Sequence, residues 1–584
     1  MPAHRRRDGP ARRRRARRGG GARQRPRPGP RRRRPRGRRR GRRRRPARAG
    51  RPARRRRGVV GPRPDRPRPD RPRPLTHPPP PKDLALLDLD AATAPAPPRP
   101  TTILQFGGGN FLRAFVDLMV HEANVRGVMD AGIAVVRATP GTGGAFDRLR
   151  AQDGRFHVLL EGMRDGEPVR ELTRVDSVTH VVSAHDEFDT YRALYLSPEL
   201  TTVVSNTTEA GIAWVEGDDL TARPPASFPA KVTALLLDRF QHFDGAPDKG
   251  LHVVCCELVE DNATALREHV LRHAAANDLP AAFVAWVETA CAFHDTLVDR
   301  IVPGFPRAEI DAIQAETGYR DELATKGELY GLWAIATGEP GGRGEAIRDL
   351  LPLDRAGQPV EFVTDIRPVR LTKVRILNGL HTAMAQVGLL AGRETVGEAA
   401  ANLTIASYLG HLLHGEVLPS LPAYEESDEA AEALAELADR ITERFTSPFL
   451  HHRLADIALN SVSKWQARNL PVALDAWAAG REASLTVLAF AALAVLYGGQ
   501  GFDADRVAAS GFAPRDDAAL VALVRDTFPG PDGDVEGWLR TVIDAAGFFP
   551  PDDGALAARL AAEAAAHARV ILTEGITVAL KAVS

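Results

Sequence analysis

The segment TTILQFGGGNFLRAFVDLMVHEAN (101–124) constrains the fold more than any other stretch of the chain. TTILQF (101–106) is a short run of β-branched and apolar residues that ends on Gly107-Gly108-Gly109. After the glycines, Phe111, Phe115, Leu118, Met119 and Glu122 recur at helical spacing, with the apolar members on one face. A strand that runs through a glycine turn into a helix aims backbone N–H groups at the turn, where they can cradle a pyrophosphate. The spacing departs from G-x-G-x-x-G, because Leu112 stands where the third glycine would be. Two readings are open: a dinucleotide-binding turn with Gly107, Gly108, Gly109, Asn110 and Phe111 against the phosphates, or a glycine turn in an ordinary α/β unit.

A second strand is predicted at GIAVVRAT (132–139). A nicotinamide-binding unit specific for the unphosphorylated cofactor would place an acid near its end to bind the ribose diol. This chain offers Arg137, with Asp130 before the strand. The arginine either suits a 2′-phosphate or simply faces solvent. Two further apolar runs, TTVVS (201–205) and LHVVCCEL (251–258), end in the polar loops Asn206-Thr207-Thr208-Glu209 and Val259-Glu260-Asp261-Asn262. Ligands of open parallel sheets lie beyond the carboxyl ends of the strands. Asn206 and Glu209 are therefore candidate cofactor contacts and Asn262 a candidate substrate contact, against the alternative that these loops merely cap the strands. Cys255 and Cys256 read as members of a buried strand rather than as nucleophiles.

Charge divides the 584-residue chain sharply. The whole carries a formal +4, but residues 1–74 hold 35 Arg and only three acids, a local +32, which leaves −28 on the other 510 residues. That acidic body excludes a folded domain acting as a basic nucleic-acid binder. The Arg/Pro/Gly/Ala tract cannot bury apolar area, so residues 1–97 are expected to be a disordered extension. Three readings apply to it: translated GC-rich sequence upstream of a start near Val59, Val60 or Leu75, a solvated charge run, or an arm that binds nucleic acid. Three cysteines form neither a disulfide framework nor a zinc spacing, which fits a reduced, cytoplasmic setting. The longest apolar run, Leu485–Leu496, falls short of a membrane span.

The segment LTKVRILNGLHTAMAQVGLLAG (371–392) carries the most chemistry. On a regular helix, Lys373 and His381 fall about 80° apart and Asn378 about 60° from His381. Lysine, asparagine and histidine then share one side, above apolar Ile376 and Leu380. Hydride transfer to a carbonyl needs a group that exchanges the hydroxyl proton and donors that stabilise alkoxide-like charge. The competing reading is a helix with a surface lysine, a capping asparagine and a satisfied core histidine.

ILQFGGGNFLRAF (103–115), VVSNTTEAGI (203–212), CELVEDN (256–262), TLVDRIVPGFPR (296–307), KVRILNGLHT (373–382) and SVSKWQARNLP (461–471) occur in that order. Together they resemble the polyol-specific long-chain dehydrogenase family, the mannitol dehydrogenase superfamily, from about residue 98 to the C-terminus. The resemblance implies a Rossmann-type NAD-binding domain (98–275) followed by a mainly α-helical substrate domain (276–584), with the site in the cleft between them. It implies metal-independent, NAD-dependent interconversion of D-altronate and D-tagaturonate, with D-fructuronate or a mannitol-type polyol as the rival substrates. By carry-over of the family's Lys-x4-Asn-x2-His signature, Lys373 is the general base in alcohol oxidation and the general acid in ketone reduction. Asn378 and His381 would hydrogen-bond the reacting oxygen. The glycine turn at Gly107, Gly109, Asn110 and Phe111 would mark the cofactor phosphates.

Two departures from the family pattern bear on substrate. A second oxyanion-stabilising asparagine is replaced by Leu258, which leaves Asn262 or Asn206 to supply the donor. Asp295 stands where the family often has Asn, exchanging a donor-acceptor for an acceptor, with a shift of substrate preference expected. A uronate carries a carboxylate, for which Lys464 and Arg468 in the SKWQAR segment are the candidate partners.

Overall fold

The computed structural model describes residues 86–208, 211–449, 451–498 and 512–583. Its centre is a six-stranded sheet of β1 (Thr101–Phe106), β2 (Gly132–Arg137), β3 (Val178–Ser183), β4 (Thr202–Ser205), β5 (His252–Cys255) and β6 (Ala292–His294). The strands lie in the order β3-β2-β1-β4-β5-β6, and every neighbouring pair is parallel. Strands buried on both faces read as unbroken apolar runs, which is why ILQF, GIAVV and HVVC lack polar alternation. Their side chains still divide by a period of two. Ile103, Val135, Val204 and Val254 enter the core on one face, with Phe115 and Met119, while Leu104, Val136, Val203 and Val253 enter the other, with Tyr191 and Phe228. The strand order reverses between β1 and β4, so a crevice opens at their carboxyl ends, directly beyond the glycine turn.

Two boundaries differ from the sequence reading. Residues 86–97, expected in the disordered extension, are folded: Leu87–Asp88 pairs in parallel with Tyr319–Arg320, and Leu89 and Ala94 are buried. The Asp90 carboxylate accepts from the N–H groups of Ala92 and Thr93, both at 2.9 Å, closing a turn. The Arg-rich residues 1–85 lie outside the described residues. At the other boundary, strands continue well past 275. β6 completes the large sheet, and Thr296–Asp299, Leu332–Ala336 and Val360–Val363 form a separate three-stranded sheet. Thr325–Glu328 joins the hairpin of Phe156–Arg164 and Glu167–Val175. The chain becomes helical only from Arg367. AFH and TLVD are too short for alternation to register, and they follow directly on the helix Ala281–Ala290.

The helical part is organised around Ser484–Gly498, which is buried along nearly its whole length and packs against Gly379–Leu390 and Gly554–Glu574. This 15-residue helix contains the Leu485–Leu496 run. Among the described residues, no helix is long and apolar enough to cross a membrane.

Candidate active site

Gly107 has φ +117°, a conformation glycine adopts freely and L side chains rarely do. A Cβ there would stand 3.1 Å from the Asn206 carbonyl oxygen, and one on Gly108 would stand 3.1 Å from Val135 Cγ1. Nothing lies within 4 Å of a Cβ on Gly109, where the helix begins without a side-chain cap. The turn thus presses two glycines onto the sheet and leaves the third facing open space with uncapped N–H groups. Such a cradle fits a pyrophosphate.

The turn is braced from below by Arg113, which sequence reasoning did not select. Its buried guanidinium donates to the Gly108 carbonyl and to Asn110 Oδ1, both at 2.6 Å, and to Thr325 Oγ1 at 3.2 Å. Burial lowers its pKa to about 10, so it remains charged at neutral pH. Phe111 stacks on Phe115 with 4.8 Å between ring centres and serves the core. The Asn206 side-chain amide donates to the Cys256 carbonyl at 2.7 Å, tying the ends of β4 and β5 together. Glu209 lies outside the described residues.

The helix that carries Lys373 is not regular. It runs as Arg367–Lys373, a wider π-helical turn Val374–Asn378, and Gly379–Leu390. The i→i+5 bonding of a π turn rotates the chain less per residue than an α-helix does, and such turns recur at functional sites. The angles expected for a regular helix are corrected accordingly: Lys373 swings towards the face that bears His381. The Asn469 side chain fastens the turn by donating to the Gly379 carbonyl at 3.2 Å.

Lys373 Nζ donates to the Val298 carbonyl at 3.2 Å and lies 3.6 Å from Asp299 Oδ1. Asp299 is shared with Arg444, at 2.9 Å, and Arg444 in turn pairs with Glu328 at 2.6 Å and covers the Tyr330 ring at 4.2 Å. Desolvation lowers the Lys373 pKa below the ordinary lysine value, Asp299 opposes that shift, and Arg444 adds to it. The same burial raises the carboxyl of Glu328, an effect Arg444 opposes. Lys373 is therefore a lysine held ready to exchange a proton nearer neutrality than a free one. Asp299, Arg444 and Glu328 escaped the sequence reading. Asp299 lies within a quoted motif, but its partner Arg444 is 145 residues away, a separation that spacing cannot bridge.

His381 is strongly desolvated, with His452, Arg444 and Arg468 as positive or potentially positive neighbours, so its pKa falls well below the usual imidazole value. Its ring lies 4.6 Å from that of Phe445 and 5.4 Å from that of His452. A neutral imidazole is the form that can donate a single N–H to a substrate oxygen without charging. The half-buried Asn378 side chain makes no hydrogen bond within the described residues, leaving its amide free. Arg468 donates to Thr382 Oγ1 at 3.1 Å and Lys464 to the Ile457 carbonyl at 2.9 Å. Among the described residues neither has a carboxylate within ion-pair distance. Arg468 and His452 neighbour His381, Lys464 neighbours His452, and Arg444 neighbours both Lys373 and His381. Asn378 is carried on the helix that bears Lys373 and His381.

Asn262 does not join them, and its expected role as substrate donor is corrected. The side chain is buried, its Nδ2 donates to the carbonyls of Cys255 and Glu257 at 2.9 and 3.0 Å, and its Oδ1 accepts from Thr296 N–H at 3.1 Å. No amide proton is left for a ligand. Asp295, expected to shift substrate preference, instead caps the helix Asn262–Ala276: it accepts from the N–H groups of Ala263 and Thr264 at 2.8 and 2.9 Å and from Thr264 Oγ1 at 2.6 Å. Leu258 is 72% exposed, so the residue in place of the family's second asparagine offers an apolar side chain to solvent and no donor. A cavity of about 440 Å³ lies between the end of β6 and the loops around Arg343 and Asp365. None of Lys373, Asn378 or His381 lines it.

The model of the mannitol dehydrogenase Rossmann domain matches residues 101–343, and that of the mannitol dehydrogenase C-terminal domain matches residues 365–513. The altronate oxidoreductase of Bacillus subtilis is 38% identical over 437 residues, covering 75% of this chain and 85% of that protein. That of Klebsiella pneumoniae is 41% identical over 407 residues, covering 69% and 80%. Among solved structures, a substrate-free D-sorbitol dehydrogenase superposes with a TM-score of 0.67 at 21% identity, over 82% of this chain and 95% of that one. Pseudomonas fluorescens mannitol 2-dehydrogenase, in a ternary complex with NAD and D-mannitol, gives 0.56 at 21% identity, over 83% and 94%. At that identity the two structures speak to the fold alone.

Proposed function

The chain belongs to the mannitol dehydrogenase family, and from that premise we propose that it is an NAD-dependent oxidoreductase interconverting D-tagaturonate and D-altronate, a step of hexuronate catabolism. The observation that carries the substrate assignment is the pair of cations Arg468 and Lys464, near the buried His381 and His452 and, among the described residues, without a carboxylate in ion-pair contact. A uronate differs from a polyol by its carboxylate, and a cation not already held in an ion pair is what a carboxylate needs.

Gly107, Gly108 and Gly109, with the helix start at Asn110, would hold the cofactor pyrophosphate, and NAD when bound supplies or accepts the hydride. The rest is done by the chain's own residues. In ketone reduction, protonated Lys373 donates to the oxygen that becomes the hydroxyl; in alcohol oxidation, neutral Lys373 takes that proton. Asn378 and neutral His381 donate hydrogen bonds to the same oxygen as charge develops on it. Asp299 and Arg444 set how readily Lys373 changes protonation state. Arg468 and Lys464 hold the carboxylate at the far end and so fix which carbon faces the lysine. Three free, buried cysteines support a reducing, cytoplasmic setting.

The test is NADH consumption by the purified full chain with D-tagaturonate, D-fructuronate and D-fructose. D-tagaturonate is expected to be used best. A preference for D-fructuronate reassigns the uronate, and a preference for D-fructose removes the role given to the two cations.

A further inference from the structure

Arg137 ends β2, where a dinucleotide's adenosine ribose meets a sheet of this strand order. A free arginine there would welcome a 2′-phosphate. This one is not free. Its Nη2 pairs with Asp186 at 2.7 Å and its Nη1 with Asp147 at 3.2 Å, while Ser183 Oγ lies 3.3 Å from Nη2. The guanidinium lies over the Phe146 ring at 4.6 Å. Asp186 is itself anchored by Ser183 Oγ, at 2.6 Å, and Asp147 accepts from the Gly143 N–H. The arginine side chain is 13% exposed and the two carboxylates 58% and 47%, so the acids face outward and the cation inward.

The adjoining loop leaves room for a ligand. Gly141 and Gly143 take φ of +117° and +93°, and nothing lies within 4 Å of a Cβ on either. The cluster of Arg137, Asp147 and Asp186 has a net charge of −1, and Asp186 Oδ1 makes no hydrogen bond among the described residues. A ribose diol finds an acceptor there. A 2′-phosphate, with about two negative charges, meets two outward-facing carboxylates.

We infer that Asp147 and Asp186, by neutralising Arg137 and facing the adenosine ribose, make this chain select the unphosphorylated dinucleotide. The inference rests on the nicotinamide dependence proposed above but not on the sugar substrate. The test is direct binding of NADH and of NADPH to the full chain without sugar, by calorimetry or by quenching of tryptophan fluorescence. A failure of the uronate assignment leaves this readout untouched, and the reverse also holds.

The wild type is expected to bind NADH at least about tenfold more tightly than NADPH, and Asp147→Asn/Asp186→Asn to erase about tenfold of that ratio by strengthening NADPH. Adding Arg137→Ala to the pair should remove the gain, because the freed guanidinium is its source. Asp186→Asn alone, at the more exposed carboxylate, should move the ratio in the same direction and guards against misfolding of the double variant. Equal affinity of the wild type for the two cofactors would overturn the inference. So would an unchanged ratio in the Asp186→Asn protein with an unaltered melting temperature, or a gain that survives Arg137→Ala.

Discussion

Lys373 and Arg468 both reach the surroundings of His381, yet their electrostatic settings are opposite. Around Lys373 the charges come in pairs: Asp299 lies between the lysine and Arg444, and Arg444 bridges Asp299 and Glu328. Around Arg468 and Lys464 the hydrogen-bond partners are a hydroxyl and a carbonyl, two nearby histidines are kept neutral by burial, and the one carboxylate felt by Lys464, Asp516, stands beyond ion-pair contact. Paired charge in a desolvated site tunes a proton-exchanging group, because each partner shifts its balance between charged and neutral forms. Unpaired cations cost desolvation and regain it only when an anion arrives. Arg137 falls on the paired side, and its neighbours turn a potential anion site into the opposite.

If Lys373 is the proton exchanger, Lys373→Ala should lower kcat by about 10²–10⁴-fold while NADH still binds as before. Steady-state rates combined with a binding titration separate the two, and near-normal turnover would remove the lysine from the mechanism. Asp299→Asn should act less severely, by about tenfold, and chiefly by moving the pH profile. Asp299 raises the lysine pKa against desolvation, so its loss lets that pKa fall further. Reduction needs the protonated lysine and declines as pH rises through its pKa, so that decline should move to lower pH. The rising limb of alcohol oxidation should move the same way, and a shift to higher pH in either direction would contradict the pairing argument.

The smallest effect concerns stability. A lysine whose folded pKa is depressed costs stability fully below that folded pKa, and the cost disappears above the unfolded value. Lys373→Met should therefore raise the melting temperature at pH 7 by about 1–2 °C, with the gain vanishing towards pH 11. Calorimetry at the two pH values checks the sign.

How far the sequence reached follows from which interactions are local. The strand–glycine–helix unit was legible because its signal is contained in TTILQFGGGNFLRAF, and the placing of Lys373, Asn378 and His381 on one helical stretch because the three lie close together in sequence. The π turn at Val374–Asn378 was not, since nothing in VRILN distinguishes it from α-helix and the turn is fixed by packing and by Asn469 from another segment. Asn262 looked like a ligand donor because a polar residue after a strand has two fates, and only the carbonyls of Cys255 and Glu257 decide between them. Arg137 could be read as solvent-facing or phosphate-binding; neither anticipated Asp147 and Asp186, which arrive from a helix and from the end of β3. The short strands after residue 276 escaped because their pairing, not their pattern, makes them strands.

The contrast between paired and unpaired cations is tested most directly by Arg468→Gln assayed on two substrates, anionic D-tagaturonate and uncharged D-fructose. The account predicts a kcat/KM for D-tagaturonate lowered about 10–100-fold with D-fructose kinetics unaffected, since only the carboxylate loses a charge-assisted partner. Equal losses on both substrates, or no loss on D-tagaturonate, would contradict it.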